Sequence, residues 1–382
     1  MNFFQQLGDL FSNVTNITWQ QLVMWIIGGL LIYLAIKKDM EPTLLLPMGF
    51  GAILVNLPMS GAVNQWVEGV LEEGPIDVLF NAGIANELFP LLLFIGIGAM
   101  IDFGPLLTNP KLMIFGAAAQ FGIFFTLFLA NLVGFDLKDA ASIAIIGAAD
   151  GPTSIFVANY FGSNYTGAIM VAAYSYMALV PIVQPPVIKA LTTKNERRIR
   201  MTNKDIVVSK RTKILFPIVI TIITGIVSPK SVALIGFLMF GNLIRECGVL
   251  DSLSETAQKV LANLVTLFLG LTIATKMQAE YFLRLETLLI IGLGLFAFIF
   301  DTAGGVMFAK LLNIFLPKDK KINPMIGAAG ISAFPMSARV VHKLGLQEDN
   351  SNFLLMHAIG VNVSGQIASV IAGGMILNLI AR

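Results

Sequence analysis

The chain has one cysteine, Cys247, and two histidines in 382 residues. A disulfide framework is excluded, and so few soft ligands leave no basis for a structural zinc or iron–sulfur centre. Charge is also scarce: Asp, Glu, Lys and Arg make up 13% of the residues against 56% hydrophobic, about half the charge of an ordinary water-facing shell. The net charge is only +2, and with no basic stripe interleaved with aromatics nucleic acid is not an expected partner. No Lys or Arg precedes Lys37, so the basic flank of a secretory signal is missing and the N-terminus is expected to be retained. What is present, at a mean hydropathy of +0.80, is the composition of an all-α polytopic membrane protein, expected to form a single integral membrane domain over residues 1–382.

Phe3, Phe4, Leu7, Leu10, Phe11 and Val14 recur at helical spacing. They predict a short amphipathic helix that lies at the membrane interface or caps its own bundle. Apolar stretches of spanning or near-spanning length fall at roughly 22–36, 43–57, 88–101, 111–134, 141–160, 166–188, 213–227, 231–247, 260–275, 285–300, 324–336 and 353–380. Those near 43–57, 141–160 and 324–336 carry internal Gly, Pro or polar residues and are expected to be broken or re-entrant helices. The loop 189–213 holds Lys189, Lys194, Arg197, Arg198, Arg200, Lys204, Lys210, Arg211 and Lys213 against Glu196 and Asp205, which places it in the cytoplasm. Lys37, Lys38, Lys318, Lys320 and Lys321 mark the same side, and Glu68, Glu72, Glu73 and Asp77 suit the outer one.

An internal repeat is suggested by Leu93-Phe94-Ile95-Gly96-Ile97 beside Leu267-Phe268-Leu269-Gly270-Leu271, and by Ile146-Gly147-Ala148-Ala149 beside Ile326-Gly327-Ala328-Ala329. The halves are 88–188, repeat A, and 262–380, repeat B. Each has an interrupted segment at the same point, a pointer to a midplane site between them.

The residues suited to chemistry gather in those segments. Asp150 stands in Ile145-Ile146-Gly147-Ala148-Ala149-Asp150-Gly151-Pro152-Thr153-Ser154, where an ionised group costs roughly 2.5–3.5 kcal/mol by insertion scales and persists mainly because it binds something. Thr153, Ser154, Tyr174, Ser175 and Tyr176 follow it; the second half offers Asn323, Gly327, Ser332, Ser337, Arg339, Asn362, Ser364 and Gln366. A carboxylate with hydroxyl, amide and released carbonyl oxygens suits a hard monovalent cation such as sodium, although Ser, Thr and Asn in membrane helices also simply bond to carbonyls. Arg339, near the end of an apolar segment, either snorkels to the interface or presents its planar fork to an organic carboxylate. Asp301 is a second candidate intramembrane carboxylate, expected near a span end, as is Asp102; Lys276 and Glu280 are spaced as a helix-surface ion pair.

The runs Gly147–Thr153, Ala173-Tyr174-Ser175-Tyr176-Met177-Ala178-Leu179-Val180-Pro181-Ile182-Val183-Gln184-Pro185-Pro186, Ile331–Arg339 and Asn362-Val363-Ser364-Gly365-Gln366-Ile367 resemble the β subunits of biotin-dependent, sodium-translocating decarboxylases over essentially the whole chain. Members of that family serve oxaloacetate, methylmalonyl-CoA, glutaconyl-CoA or malonate decarboxylases. The resemblance implies a subunit of the bacterial cytoplasmic membrane that decarboxylates carboxybiotin, consuming a proton, and exports sodium. Its implied partners are a carboxyltransferase subunit, a biotin carrier protein, a small membrane anchor subunit and further β subunits. It implies Asp150 as the principal sodium ligand, Asn362 and Ser332 as co-ligands, Asp150, Tyr176, Ser332 and Arg339 as catalytic, and Arg339, Asn323 and Gly327 at the biotin side. It further implies two inverted repeats with an elevator-like scaffold and core, in which Gly292 and Gly294 permit close helix sliding. A sodium-coupled transporter of an organic carboxylate and a non-catalytic anchor for a soluble complex are the alternative classes. The parent acid is left to a partner, with the absence of long soluble insertions leaning toward an acyl-CoA.

Overall fold

A bilayer core offers the backbone no water, so a spanning chain satisfies its N–H and C=O groups within helices or a closed barrel. The computed structural model, which describes residues 16–67, 69–201, 208–317 and 320–380, takes the first course almost throughout. The expected N-terminal amphipathic helix lies outside the described residues. Among those described, the strands are one antiparallel hairpin, Gln65–Val67 with Val70–Glu72, pairing Trp66 with Leu71. Six helices are long and apolar enough to cross a membrane: Trp19–Lys38, Pro110–Val133, Thr166–Leu191, Asp251–Met277, Leu285–Phe315 and Leu355–Ile380; the pair Pro75–Gly83 and Leu88–Met100, bent by 64°, makes a seventh if it is one span.

The chain divides into two compact units. The first takes residues 1–89 and 263–289. Thr18 and Gln21 form a capping box on Trp19–Lys38, and Pro42–Val55 folds back on that helix where Gly28 and Gly49 face each other. A Cβ on either glycine would stand 2.6 Å from the other's carbonyl oxygen, so backbone packs on backbone there. Asn56 ties the end of the second helix down: its Nδ2 donates to Ala52 O and Met277 O, and its Oδ1 accepts from Ala279 N. Pro42–Val55, expected to be broken, is one continuous helix with Pro47 inside it; the buried proline packs beside Gly270, and close neighbours let a membrane helix tolerate the lost bond. The expected Lys276–Glu280 ion pair gives way to a cation–π contact, with Lys276 Nζ 4.7 Å from the centroid of Phe80.

The second unit, residues 90–262 and 290–382, contains three breaks that define the site. One is at Gln120, between Met113–Ala119 and Phe121–Val133. Another follows Leu137–Ala144: a first 3-10 segment, Ile145–Ala148, leads through Ala149 and Asp150 into Gly151–Phe161. The third is a second 3-10 segment, Pro324–Gly330, followed by extended chain and then Met336–Glu348. The stretches at 141–160 and 324–336 are therefore broken as expected. Leu285–Phe315 runs well beyond the expected end near 300, so Asp301 is corrected from a span end to the buried middle of a helix. Gly304-Gly305, inside this helix, is a crossing point, since a Cβ on Gly305 would meet Gly327 O at 2.0 Å.

The described part of the basic loop is stitched to this unit. Arg197 bonds Glu348 at 2.6 Å and Thr192 O at 2.5 Å, and its own carbonyl accepts from Asn323 and Asn352. Lys310 pairs with Glu196 at 3.3 Å and Arg200 with Asp349 at 2.7 Å. The Arg200 guanidinium, by its hydrogen bond and its charge, holds the partly exposed Asp349 carboxyl below the usual range.

Candidate functional site

Ala149 has φ +51, a left-handed conformation that costs a residue with a Cβ about 1 kcal/mol. That turn stops the first 3-10 segment and leaves Asp150 extended, as the N-cap of Gly151–Phe161. The buried carboxylate therefore sits at the positive end of a helix. Its Oδ1 accepts the Thr153 N–H at 3.2 Å, while Oδ2 alone receives Thr153 Oγ1 at 2.8 Å, Ser369 Oγ at 2.9 Å, Ser332 Oγ at 3.0 Å and Gln366 Nε2 at 3.2 Å. No Lys, Arg or His pairs with it among the described residues.

Three segments supply these groups, and their backbones meet. Ser332 N donates to Ala148 O at 2.9 Å, so the two 3-10 segments are joined next to the carboxylate by a direct backbone bond. The helix Leu355–Ile380 closes the third side. There Asn362 Nδ2 donates to Ile331 O at 2.7 Å and Ala329 O at 3.1 Å, which holds open the chain leading to Ser332. Glycines allow the approach: a Cβ on Gly365 would meet Gly330 O at 2.2 Å, and one on Gly151 would enter the Tyr174 ring. Two buried oxygens here have no partner, Asn362 Oδ1 and Tyr174 Oη.

Of the residues expected at the site, Asp150 and Ser332 are in direct contact and Asn362 is one bond removed. The other four lie apart from the carboxylate. Asn323 caps the far end of the seven-residue second 3-10 segment, where it accepts from Met325 N and donates to Arg197 O and Ile199 O. Gly327 is the close-approach partner of Gly305. Tyr176 donates its hydroxyl to Ile291 O, and its ring stacks on Phe298. Arg339 is exposed in the first turns of Met336–Glu348. That helix is seated by Gln184, whose Nε2 donates to Ala328 O and Ser337 Oγ.

Ser369 is the carboxylate partner that the sequence reading missed. The signal was available: Asn362, Gln366 and Ser369 are spaced i, i+4, i+7, one polar face on an apolar helix. The exchange Ser369→Ala, which removes one hydroxyl donor from Asp150 Oδ2, is expected to weaken monovalent-cation binding at this carboxylate about tenfold, measured by cation binding to the purified protein.

A carboxylate ringed by neutral, reversible donors, without a fixed counter-charge, is chemistry for a transient cation. The family model described as the Na+-transporting oxaloacetate decarboxylase beta subunit matches residues 20–380. The chain belongs to that family. Among curated relatives, the methylmalonyl-CoA decarboxylase subunit beta of Veillonella parvula is 50% identical over 371 residues, covering 97% of this chain and 96% of its own. The glutaconyl-CoA decarboxylase subunit beta of Acidaminococcus fermentans is 49% identical over 369 residues, with the same coverage. The oxaloacetate decarboxylase beta chain of Klebsiella pneumoniae is 44% identical over 414 residues, covering 94% and 95%. This β subunit is thus a membrane component of a sodium-transporting decarboxylase, multi-pass in a bacterial inner membrane.

Proposed function

We propose that this β subunit decarboxylates carboxybiotin presented by a biotin carrier protein, consumes a proton in doing so, and exports sodium. The observation that carries the sodium half is the Asp150 cluster. Thr153, Ser332 and Ser369 now donate to Oδ2; turned about their C–O bonds, the same hydroxyls offer lone pairs to a cation. The Gln366 carbonyl and the unpartnered Asn362 Oδ1 add further hard oxygen ligands.

Loss of carbon dioxide from a carboxylated ring nitrogen is favoured when the anion leaves water and a proton reaches that nitrogen. Arg339 is suited to hold the anion: its guanidinium is exposed and makes no ion pair among the described residues, leaving the planar fork open to a carboxylate. Ser332, bonded to Asp150, is the proton-relay member that the geometry supports; Tyr176 joins only after its hydroxyl leaves Ile291 O. Asn323 and Gly327 act on the biotin side through the segment they shape. Sodium and the proton then compete for one carboxylate.

The carrier, a carboxyltransferase subunit, a small membrane anchor and further copies of this chain are the proposed partners. The parent acid is left to those partners: acyl-CoA decarboxylase relatives align over 369, 371 and 396 residues and oxaloacetate relatives over 414 and more, so both kinds of subunit share this fold length. Inverted repeats over 88–188 and 262–380, with an elevator-like core moving on a scaffold, are part of the same proposal. It is supported by the parallel order of 3-10 segment, short helix and long helix in Ile145–Leu191 and Pro324–Ile380.

The test is decarboxylation of free carboxybiotin by the purified protein, with and without sodium. Arg339→Ala is expected to raise the apparent KM for carboxybiotin with the sodium dependence intact. Unchanged kinetics in that variant, or transport of a labelled organic anion into liposomes, would overturn the assignment.

A further inference from the structure

The sodium cluster leaves unused a second buried carboxylate, Asp301, at 1% exposure. Its Oδ1 accepts the N–H of Ile123 at 3.1 Å, and the carboxylate also accepts that of Gly122. These are first-turn donors of Phe121–Val133, and the Ile123 N–H is shared with Gln120 O at 3.1 Å. The charge is thus set on the positive end of a 13-residue helix. Oδ2 points the other way, toward the first 3-10 segment, and has no partner. A Cβ on Gly147 would stand 2.7 Å from that oxygen, and one on Gly122 would stand 2.6 Å from Oδ1; only glycines leave this wedge open.

Two hydroxyls on the same two helices are in the same condition. Thr126, one turn along from Gly122 on the same helix face, is fully buried with its hydroxyl unpartnered, and does not bond back to its own helix. Thr302, next to Asp301, is likewise fully buried with a free hydroxyl. No Lys, Arg or His makes an ion pair with Asp301 among the described residues. A buried carboxylate oxygen and buried hydroxyls left unpartnered on neighbouring elements are costly unless a positive ligand uses them.

We propose that Asp301 anchors a second monovalent-cation site, with Thr126 and Thr302 as its neutral oxygen donors, separate from the Asp150 cluster and on the opposite flank of the first 3-10 segment. An ion there lies against Gly147, three residues before Asp150. Its occupancy therefore bears on the strand of chain that sets the Asp150 carboxylate, and the two sites communicate through Ile145–Ala148.

The experiment is equilibrium binding of radioactive sodium to the purified complex, with the sodium dependence of decarboxylation measured alongside. Asp301→Asn, which keeps an acceptor for Ile123, is expected to lose one equivalent of bound sodium and to flatten the sodium saturation curve. Asp150→Asn is expected to lose a different equivalent. Thr126→Val, nearly isosteric and fit for the case in which Asp301→Asn does not assemble, is expected to weaken one class of site about tenfold. Full sodium binding in Asp301→Asn, or an unaltered isotherm in Thr126→Val, overturns the second site. Loss of pH dependence with sodium binding intact also overturns it, since Asp301 would then carry a proton. The Asp150 reading is judged separately, by whether Asp150→Asn loses its own equivalent.

Discussion

Asp150→Asn is expected to abolish sodium stimulation of decarboxylation while the protein folds as well as before, or better. The exchange keeps the shape of the side chain and one acceptor oxygen: with that oxygen on Thr153 N, the amide NH2 takes the Oδ2 position and the Ser332 and Ser369 hydroxyls turn to accept from it, so packing at the junction of the two 3-10 segments is preserved. What it removes is the charge. In an apolar interior an ionised carboxylate costs roughly 2.5–3.5 kcal/mol to place, a penalty the amide avoids, so thermal stability in detergent should hold or rise. Sodium affinity should fall by about a hundredfold or more, because a neutral oxygen replaces the formal charge that, among the described residues, faces the ion. The pairing of outcomes is the diagnostic: activity lost at undiminished stability marks Asp150 as a ligand. Wild-type sodium dependence in the variant would sink the assignment.

Gly327→Ala is expected to damage the protein through a different link, packing. A methyl there falls 2.0 Å from Gly305 O, and the reciprocal change Gly305→Ala falls 2.0 Å from Gly327 O. Both distances lie far inside contact, and both obstacles are backbone atoms that cannot rotate away. Overpacking of this kind costs about 1–3 kcal/mol and is relieved by moving backbone. The backbone that moves is the second 3-10 segment, which carries Ser332 two residues past its end. The two variants should therefore lose similar amounts of thermal stability and of sodium-stimulated activity, measured side by side. If Gly327→Ala were inactive at wild-type stability and Gly305→Ala normal, Gly327 would act on the substrate side in its own right.

Much of the architecture was legible because hydrocarbon imposes one rule on the backbone and a Gly/Pro interruption at membrane depth has few other uses. The breaks at Asp150 and Ser332 could be read from Gly151-Pro152 and from the run of small residues before Pro335. Asp301 could not be placed, because Thr302-Ala303-Gly304-Gly305 reads as a helix end until another helix is seen pressing its own glycine into it. Asn323 was expected beside a ligand and is found as a clasp on the basic loop. Its amide satisfies two carbonyls more than a hundred residues away in the chain, and no local pattern announces such a partner. Ser369 escaped for want of one further step along a helical face that already displayed Asn362 and Gln366.

The three hydroxyls that meet at one oxygen of Asp150 have a kinetic meaning as well as a chemical one. Turning a hydroxyl from donor to acceptor needs rotation about a single C–O bond, a motion of picoseconds to nanoseconds, and no heavy atom has to leave its place. Loading and unloading therefore need almost no reorganisation of the binding shell. In the proposed cycle, control then falls to the seam where Ser332 N bonds Ala148 O and to access from either side of the membrane. A pump built this way keeps its ion site ready at all times and stores its control in the seam around it.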